Sequence, residues 1–271
     1  SDDRTPDILK KFSNDKRIKY SRNSHNKPLG EARNIALEMC TGKYIAFLDS
    51  DDLWEKDKLS SQVAILEAKS NVALIYSNFS TINGSSLDSL NIRRPQFWLA
   101  KPSGYVFRKF LRQYPINLQT VMLRRSVLSQ LKLKFDPSLQ LAEEFHIFMR
   151  LLLKNEAYYQ AKVTAGYRLH ANQDSIKKIA LYPKENQYII NQFKTTFQDF
   201  STEYKEDIEY FEAKIKYYMS KVYLRDGDLG MARKKLNEAG LVSFRLKFLS
   251  WILRVSPELF IILHKVSRRY I

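Results

Sequence analysis

Gly42-Lys43-Tyr44-Ile45-Ala46-Phe47-Leu48-Asp49-Ser50-Asp51-Asp52-Leu53-Trp54 is the stretch on which the reading of the fold turns. Lys43 to Leu48 is a nearly continuous apolar run of strand length, with Gly42 before it and acids after it. A run of this kind marks a central strand of an α/β sheet, because alternation vanishes when both faces are covered. In open α/β sheets ligands bind beyond the carboxyl ends of the strands, so Asp49, Asp51 and Asp52 are expected to project into a functional crevice. Three acids in four residues repel one another unless a cation or hydrogen-bond donors stabilise them. Their hard oxygens suit Mg2+ or Mn2+, which also take phosphate oxygens from a substrate. The competing reading is an acidic turn in which Asp51 or Asp52 caps the helix starting near Trp54. D-x-D alone favours that plainer reading; its placement after a buried strand favours the metal site.

Outward from this strand, helix and strand alternate. A helix is expected from about Lys56 to Ser70 and a strand over Val72 to Tyr76. On the other side, residues 6 to 13 read as a short helix, Arg17 to Tyr20 as a strand, Asn23 to Gly30 as a loop and Glu31 to Met39 as a helix. Residues 84 to 104 read as a long irregular loop, and Val121 to Leu123 as a strand. Leu141 to Lys154 is helical, with Leu141, Phe145, Phe148 and Leu152 on one face. The fold class is therefore α/β with a mostly parallel, Rossmann-like sheet and flanking helices. After Tyr182 the pattern becomes purely helical: Ile208, Phe211, Ile215, Tyr218 and Val222 recur at helical spacing, and Leu229 to Ala239 resumes it after Asp226-Gly227-Asp228. We read residues 1–182 as one domain and 183–271 as a helical C-terminal region.

Composition narrows the classes. One cysteine, Cys40, excludes an internal disulfide framework and a cysteine-based zinc cluster. With 8 glycines in 271 residues, a glycine-rich phosphate loop is not the expected binding device. The formal charge of +16 points to a polyanionic partner: nucleic acid, an anionic membrane surface or a phosphorylated substrate. Nucleic acid is the disfavoured member, since no recognised motif accompanies the charge. The segment from Leu241 carries Arg245, Lys247, Arg254, Lys265, Arg268 and Arg269 against Glu258 alone, interleaved with Phe244, Phe248, Trp251 and Phe260. That pattern suits a helix lying in a membrane interface; a terminal helix packed on the body, with a solvated basic face, is the alternative. Ser1-Asp2-Asp3-Arg4 is unlike a secretory signal and lacks an initiator Met, so residue 1 is not expected to be the natural start.

The run from Gly42 to Trp54, with Lys58-Leu59 and Gln62 beyond it, resembles glycosyltransferase family 2. Asn26, Gly30 and Ala32-Arg33-Asn34 match that family's N-x-G…A-R-N segment, and Ser1, Asp3 and Thr5 match the tail of its D-D-G-S-x-D-x-T motif. The resemblance covers roughly residues 1 to 175. It implies a GT-A fold and transfer of a sugar, with inversion, from a nucleoside diphosphate sugar. On this resemblance Asp51 contacts ribose or metal, Asp52 the metal that bridges the diphosphate, Asp49 supports the same site and Arg33 lies near the nucleotide. Mn2+ or Mg2+ is the implied cofactor. The family's first strand, its first helix and an Asp-Asp-Gly would precede Ser1, so residues 1 to 271 alone are expected to bind nucleotide sugar weakly.

Glu143-Glu144 stands where similar enzymes carry Glu-Asp, the second acid taking the acceptor hydroxyl's proton. Glu144 is thus the candidate general base, and a helix's first turn is expected to hold it ionised. It departs from the family by one methylene, which puts acceptor placement in question. Tyr167-Arg168-Leu169-His170, with Gln173 and Ser175, resembles the Y-R-x-H…S segment. His170 is expected to complete the metal shell or donate to the diphosphate, and Arg168 to pair with phosphate. His25, His146 and His264 are read as structural or exposed, and Trp98, Tyr105 and Phe107 as core or acceptor-groove residues. The implied reaction uses a UDP-sugar donor and a glycan or lipid-linked acceptor, in bacterial surface polysaccharide synthesis at the cytoplasmic face of the membrane. A catalytically inactive homologue or a basic adaptor is the alternative.

Overall fold

A computed structural model describes residues 4–83, 94–95, 101–170, 173 and 177–261. Ser1, Asp3, Trp98, Ser175, His264, Lys265, Arg268 and Arg269 lie outside the described residues, as do residues 84–93 and 96–100 of the expected loop. The elements are α1 (Thr5–Lys10), α2 (Leu29–Met39), β1 (Tyr44–Ala46), β2 (Leu53–Trp54), α3 (Lys58–Ala68), β3 (Val72–Asn83), β4 (Arg94–Pro95), α4 (Phe107–Arg112), a 3-10 turn at Leu118–Thr120, β5 (Met122–Arg124), α5 (Arg125–Leu128), α6 (Glu143–Leu152), β6 (Glu156–Leu169), α7 (Leu181–Thr196), α8 (Phe200–Glu203), α9 (Lys205–Arg225), α10 (Leu229–Gly240) and α11 (Phe244–Val255).

The strands form one sheet in the order β1-β5-β3-β6-β2, with β4 paired to β3. The α/β architecture matches expectation, but the sheet is mixed where a mostly parallel one was expected. β3 and β6 are parallel from Val72↔Glu156 to Asn83↔Leu169. β1–β5, β3–β5, β3–β4 and β2–β6 are antiparallel. The long strands β3 and β6 share one direction with β1, while the short β5 and β2 run against them. Short opposed strands thus intervene between, or flank, the co-directional ones, and hydrophobic periodicity carries no information about strand direction. The sequence reading also stops short of β6, a 14-residue strand of which only the last residues were noticed as a motif. Arg17 to Tyr20 forms no strand; Ile18 and Tyr20 are exposed. Gly104 adopts φ +87°, a conformation that suits glycine, while its N–H and carbonyl exchange hydrogen bonds with Ala157 of β6.

The main core joins sheet residues such as Ile45, Leu74, Tyr76 and Leu123 to Phe145 and Phe148 of α6. It continues without a break into Ile190 and Phe193 of α7, Phe200 of α8, and Ile208, Phe211 and Ile215 of α9. Phe145 stacks on Phe211 at 5.5 Å between ring centroids. Asp207 of α9, itself buried, accepts from Arg108 and Arg112 of α4. The boundary expected at residue 182 therefore does not coincide with a break in packing. A separate small core of Ala232, Leu236, Ile252, Leu253 and Phe260 holds α10 and α11 together.

Candidate active site

The apolar run 43–48 delivers β1 into the sheet, and the chain leaves it through Asp49-Ser50-Asp51-Asp52 before β2. Ile45 is buried between neighbours, while Leu48 is already exposed, so the acids emerge where the strand passes out of the core. α2 packs beside this exit. Asn34 donates from Nδ2 to the Phe135 carbonyl at 2.8 Å and accepts the Phe135 N–H at 3.0 Å, pairing the helix to that backbone. A Cβ on Gly30 would lie 3.0 Å from the Asp136 carbonyl oxygen, so glycine permits the approach. The neighbouring Arg33 is thereby aimed at two acids. It donates to Glu143 at 2.6 Å and to Asp49 at 3.1 Å, with its guanidinium over the Phe135 ring.

From Asp49 the network continues through a residue the sequence reading did not single out. Gln119, in the 3-10 turn, donates to Asp49 Oδ2 at 3.1 Å and also to Asp52 Oδ2. Asp52 Oδ1 accepts the backbone N–H of Arg168 at 2.7 Å, at the end of β6. The Arg168 guanidinium donates from Nε to the Asp51 carbonyl at 2.8 Å, and Gln173 donates to the Arg168 carbonyl at 2.8 Å. His170 Nε2 lies 2.9 Å from Asp51 Oδ2, with both side chains partly exposed. The structure thus gathers Arg33, Asp49, Asp51, Asp52, Arg168 and His170 into one connected cluster at the mouth of the sheet. The turn that carries Gln119 is itself held from below. Trp54 Nε1 donates to the Gln119 carbonyl at 3.0 Å, while Gln62 and the fully buried Lys58 reach the Thr120 carbonyl at 2.9 and 3.4 Å.

Electrostatics separates the members of the cluster. Burial raises the Asp52 carboxyl to about 6; the Arg168 N–H opposes that rise, and Asp51 and Asp49 add to it. Burial pushes the Lys58 ammonium down to about 7, since its acceptors are neutral carbonyls rather than a carboxylate. Glu144 is raised to about 8, chiefly by burial and then by the charge of Glu143; Arg33 works against both. Burial thus acts against the ionised form that the helix's first turn is expected to hold. Desolvation outweighs the partial positive charge of a helix end. Glu143 is also raised by burial, and its Oε2 has no hydrogen-bond partner.

Glu144 joins the cluster through its neighbour, because Arg33 binds Glu143 one residue away. The helix that presents both acids has Ala142 at its N-cap, a residue with no side chain able to cap. Glu185 of α7 instead fastens the segment that leads into the helix. Its buried carboxylate accepts the N–H groups of Gln140, Leu141 and Ala142 at 2.8, 3.0 and 2.9 Å. No sequence signal pointed to Glu185, which lies 43 residues beyond Ala142 in an ordinary helical pattern. Of the remaining expectations, Phe107 is core, Tyr105 is exposed, and His146 is buried with its titration pushed down to about 4 by burial. A groove of about 470 Å3 between α7 and α9, lined by Pro183, Lys184, Tyr188, Met219, Val222 and Tyr223, contains none of the cluster's residues.

No group of three or more His, Cys, Asp or Glu among the described residues is arranged to hold a metal ion by itself. The donor chemistry nevertheless fits an ion that takes part of its shell from substrate. Asp51 and His170 offer one oxygen and one nitrogen at partly exposed positions, and Mg2+ ordinarily takes only one or two carboxylates, with phosphate oxygens and water filling its shell.

A mixed α/β sheet with this acid-rich strand exit defines the chain's class: it belongs to glycosyltransferase family 2. The Glycosyl transferase family 2 model matches residues 1–132. Among individual relatives, the putative teichuronic acid biosynthesis glycosyltransferase TuaG of Bacillus subtilis (strain 168) is 32% identical over 182 residues, covering 66% of this chain and 68% of TuaG. The UDP-Glc:alpha-D-GlcNAc-diphosphoundecaprenol beta-1,3-glucosyltransferase WfgD of Escherichia coli is 31% identical over 180 residues, covering 66% of each. The chain thus spans about two thirds of the length of these relatives. In fold it is similar to S. aureus TarS residues 1–349, with a TM-score of 0.60 at 18% identity, over 94% of this chain and 75% of that one. It is also similar to the mannosyltransferase PcManGT of Pyrobaculum calidifontis, solved in complex with GDP-Man and Mn2+, with a TM-score of 0.54 at 15% identity, over 100% of this chain and 75% of that one.

Proposed function

We propose that this protein transfers a sugar, with inversion at the anomeric carbon, from a UDP-sugar to a lipid-linked glycan acceptor in bacterial surface polysaccharide synthesis. The observation that carries this reading is the unbroken line of contacts from His170 and Asp51 through Asp52, Gln119, Asp49 and Arg33 to Glu143, beside Glu144. It offers donor-binding and acceptor-activating groups on one continuous framework. A relative named for a diphosphoundecaprenol-linked acceptor and one named for teichuronic acid biosynthesis support the acceptor class, and on this reading the reaction runs at the cytoplasmic face of the membrane.

Asp51 and His170 would hold Mn2+ or Mg2+, which when bound neutralises charge developing on the departing diphosphate. Asp52, expected from sequence as a direct ligand, takes a positioning role in this reading. Its oxygens already accept from Arg168 and Gln119 and so fix the turn that presents Asp51. Arg168 offers its guanidinium to the diphosphate, and Asp49 and Arg33 flank the nucleotide. Glu144 removes the proton from the acceptor hydroxyl. The oxygen then bonds to the anomeric carbon from the face opposite the leaving nucleoside diphosphate, the C1–O bond to phosphate breaks, and the diphosphate carries away that electron pair. A base with its titration near 8 is well matched to an alcohol at neutral pH, since transfer efficiency peaks when the catalytic group titrates near the working pH.

The protein, incubated with UDP-glucose, UDP-galactose, UDP-GlcNAc, GDP-mannose and dTDP-rhamnose in turn, with Mn2+ and lipid-diphosphate sugar acceptors, tests the reading. Nucleoside diphosphate release dependent on one donor and one acceptor is the expected result. Absence of release from all of them, with the protein folded, would overturn it.

A further inference from the structure

The exposed face of α11 points to a function of its own: we propose that it is a docking surface for an anionic lipid bilayer. The inference rests on that face and not on the sugar-transfer reaction, so either can fail without the other. Phe244, Phe248, Trp251 and Val255 follow one another at spacings of four, three and four residues and form one stripe along the helix. All are exposed, Phe244 to 86% and Trp251 to 58%, and Phe248 stacks on Trp251 at 6.0 Å. Leu241 and Val242, in the turn before the helix, are exposed as well and lengthen the stripe.

Among the described residues α11 already has its partner within the fold. Its second stripe, Leu246, Ser250 and Leu253, is already buried against α10 and α9, with Leu246 in a cluster with Ala213 and Ala239, and Leu253 in one with Ala232 and Leu236. A Cβ on Gly240 would lie 3.0 Å from Lys247 Cα, so the turn between α10 and α11 is tight, and Ser250 donates to Asn237 across the pair. Arg233 reaches the Leu253 and Arg254 carbonyls at the end of α11. The helix is fastened along one side, and the aromatic stripe faces outward.

The chemistry of the surroundings selects the occupant. Arg245, Lys247 and Arg254 are exposed beside the stripe, and the sequence holds no Asp or Glu from Ala239 to Pro257. The nearest acid on the N-terminal side, Glu238, is paired with Lys216 and Lys235. Contiguous exposed apolar surface of this size marks an interaction site in a soluble fold. Phe and Trp between cations match the boundary between headgroups and acyl chains, where the rings enter the apolar layer and the cations stay at anionic headgroups. The chain's overall +16 adds attraction at longer range. None of the described helices is long and apolar enough to cross a membrane, so the contact is one of lying on the surface.

Flotation of the full chain with vesicles of equal parts phosphatidylglycerol and phosphatidylcholine, and with pure phosphatidylcholine, tests this. Preferential flotation with the anionic vesicles, weakened by salt, is expected. Phe244→Ser with Trp251→Ser should lower partition about tenfold while leaving the melting temperature unchanged, because both side chains are exposed. Arg245→Ser with Lys247→Ser should weaken binding to the anionic vesicles about thirtyfold for the pair, with little effect on pure phosphatidylcholine. Equal flotation of wild type and both variants, or none by the wild type, would overturn the proposal. So would sedimentation showing a dimer that the Phe244 and Trp251 changes dissociate, since a second copy would then cover the face.

Discussion

The strand exit at Asp49–Asp52 and the outer face of α11 both place side chains where burial alone would not put them. At the first, carboxylates are drawn into the edge of the core; at the second, aromatic rings are left in water. The two differ in how they are held. Each acid of the cluster is tied to groups from other elements: Asp52 to β6 and the 3-10 turn, Asp49 to α2 and the same turn, Glu143 to α2. In the α11 stripe Phe248 and Trp251 stack on each other, and the stripe is exposed among the described residues. Misplaced polarity in a protein must be satisfied by neighbours, or it costs stability; misplaced apolar surface costs nothing further until a partner arrives. Changes at the tied acids Asp49, Asp52 and Glu143 should therefore disturb function and fold together, the exposed Asp51 should disturb function alone, and changes on α11 should disturb only association.

The largest effect is expected at Glu144. Glu144→Gln should lower transfer about 10²–10⁴-fold. In the wild type kcat/KM should climb as pH rises through about 8, because only the ionised carboxylate accepts a proton. A rate independent of pH between 6 and 9 would remove Glu144 as the base. Next, Asp51→Asn should cost about a hundredfold or more in turnover with little change in melting temperature, since Asp51 is exposed; retained activity would separate this acid from donor binding. Glu185→Ala strands three N–H groups beside α6 and should lower unfolding free energy by about 3 kcal/mol in a denaturant titration. An effect confined to α7, with activity intact, would show that the helix bearing Glu144 is positioned without it.

Lys58 should give a pH-dependent signature. The folded protein releases its proton near 7, whereas the unfolded chain keeps it to about 10.5. Between those values the folded state binds fewer protons, so its stability rises with pH, by about 1.4 kcal/mol per unit inside the window. Lys58→Met should abolish that slope, as read from melts at pH 6.5 to 9.5. Least of all, Phe244→Ser should shift unfolding by no more than about 0.5 kcal/mol. A larger loss would mean that the stripe is packed, and would erase the contrast between the two regions.

How far these regions were legible in sequence follows the same physics. The apolar run before Asp49 announced a strand, but not its place. A buried central strand was expected, whereas β1 is three residues at the edge of the described sheet with Ile45 alone buried, because an apolar run does not say which strands arrive beside it. Arg33 and the Tyr167–His170 segment were found through resemblance, and the structure brings them to the same acids. Gln119 left no comparable mark: a glutamine before an apolar strand is ordinary, and its importance comes from Asp49 and Asp52, distant in sequence. Glu185 was hidden for the same reason. β6 was missed as a strand, its last residues being read only as a motif, because its Ala157 and Gly166 interrupt the β-branched and aromatic pattern that identifies strands.

What the amino-acid sequence determined by itself is the local chemistry: an apolar strand ending in acids, helices with one apolar stripe, and a terminal segment rich in both cations and aromatic rings. These follow from near-neighbour rules of spacing and polarity, which the chain carries wherever it goes. Only the tertiary structure decided that β5 and β2 oppose the longer strands, that α7 to α9 complete the main core, and that burial pushes the Glu144 carboxyl above its ordinary range. Strand direction, burial and the charge felt by a carboxyl all depend on which remote residues arrive beside it, and spacing along the chain does not encode that.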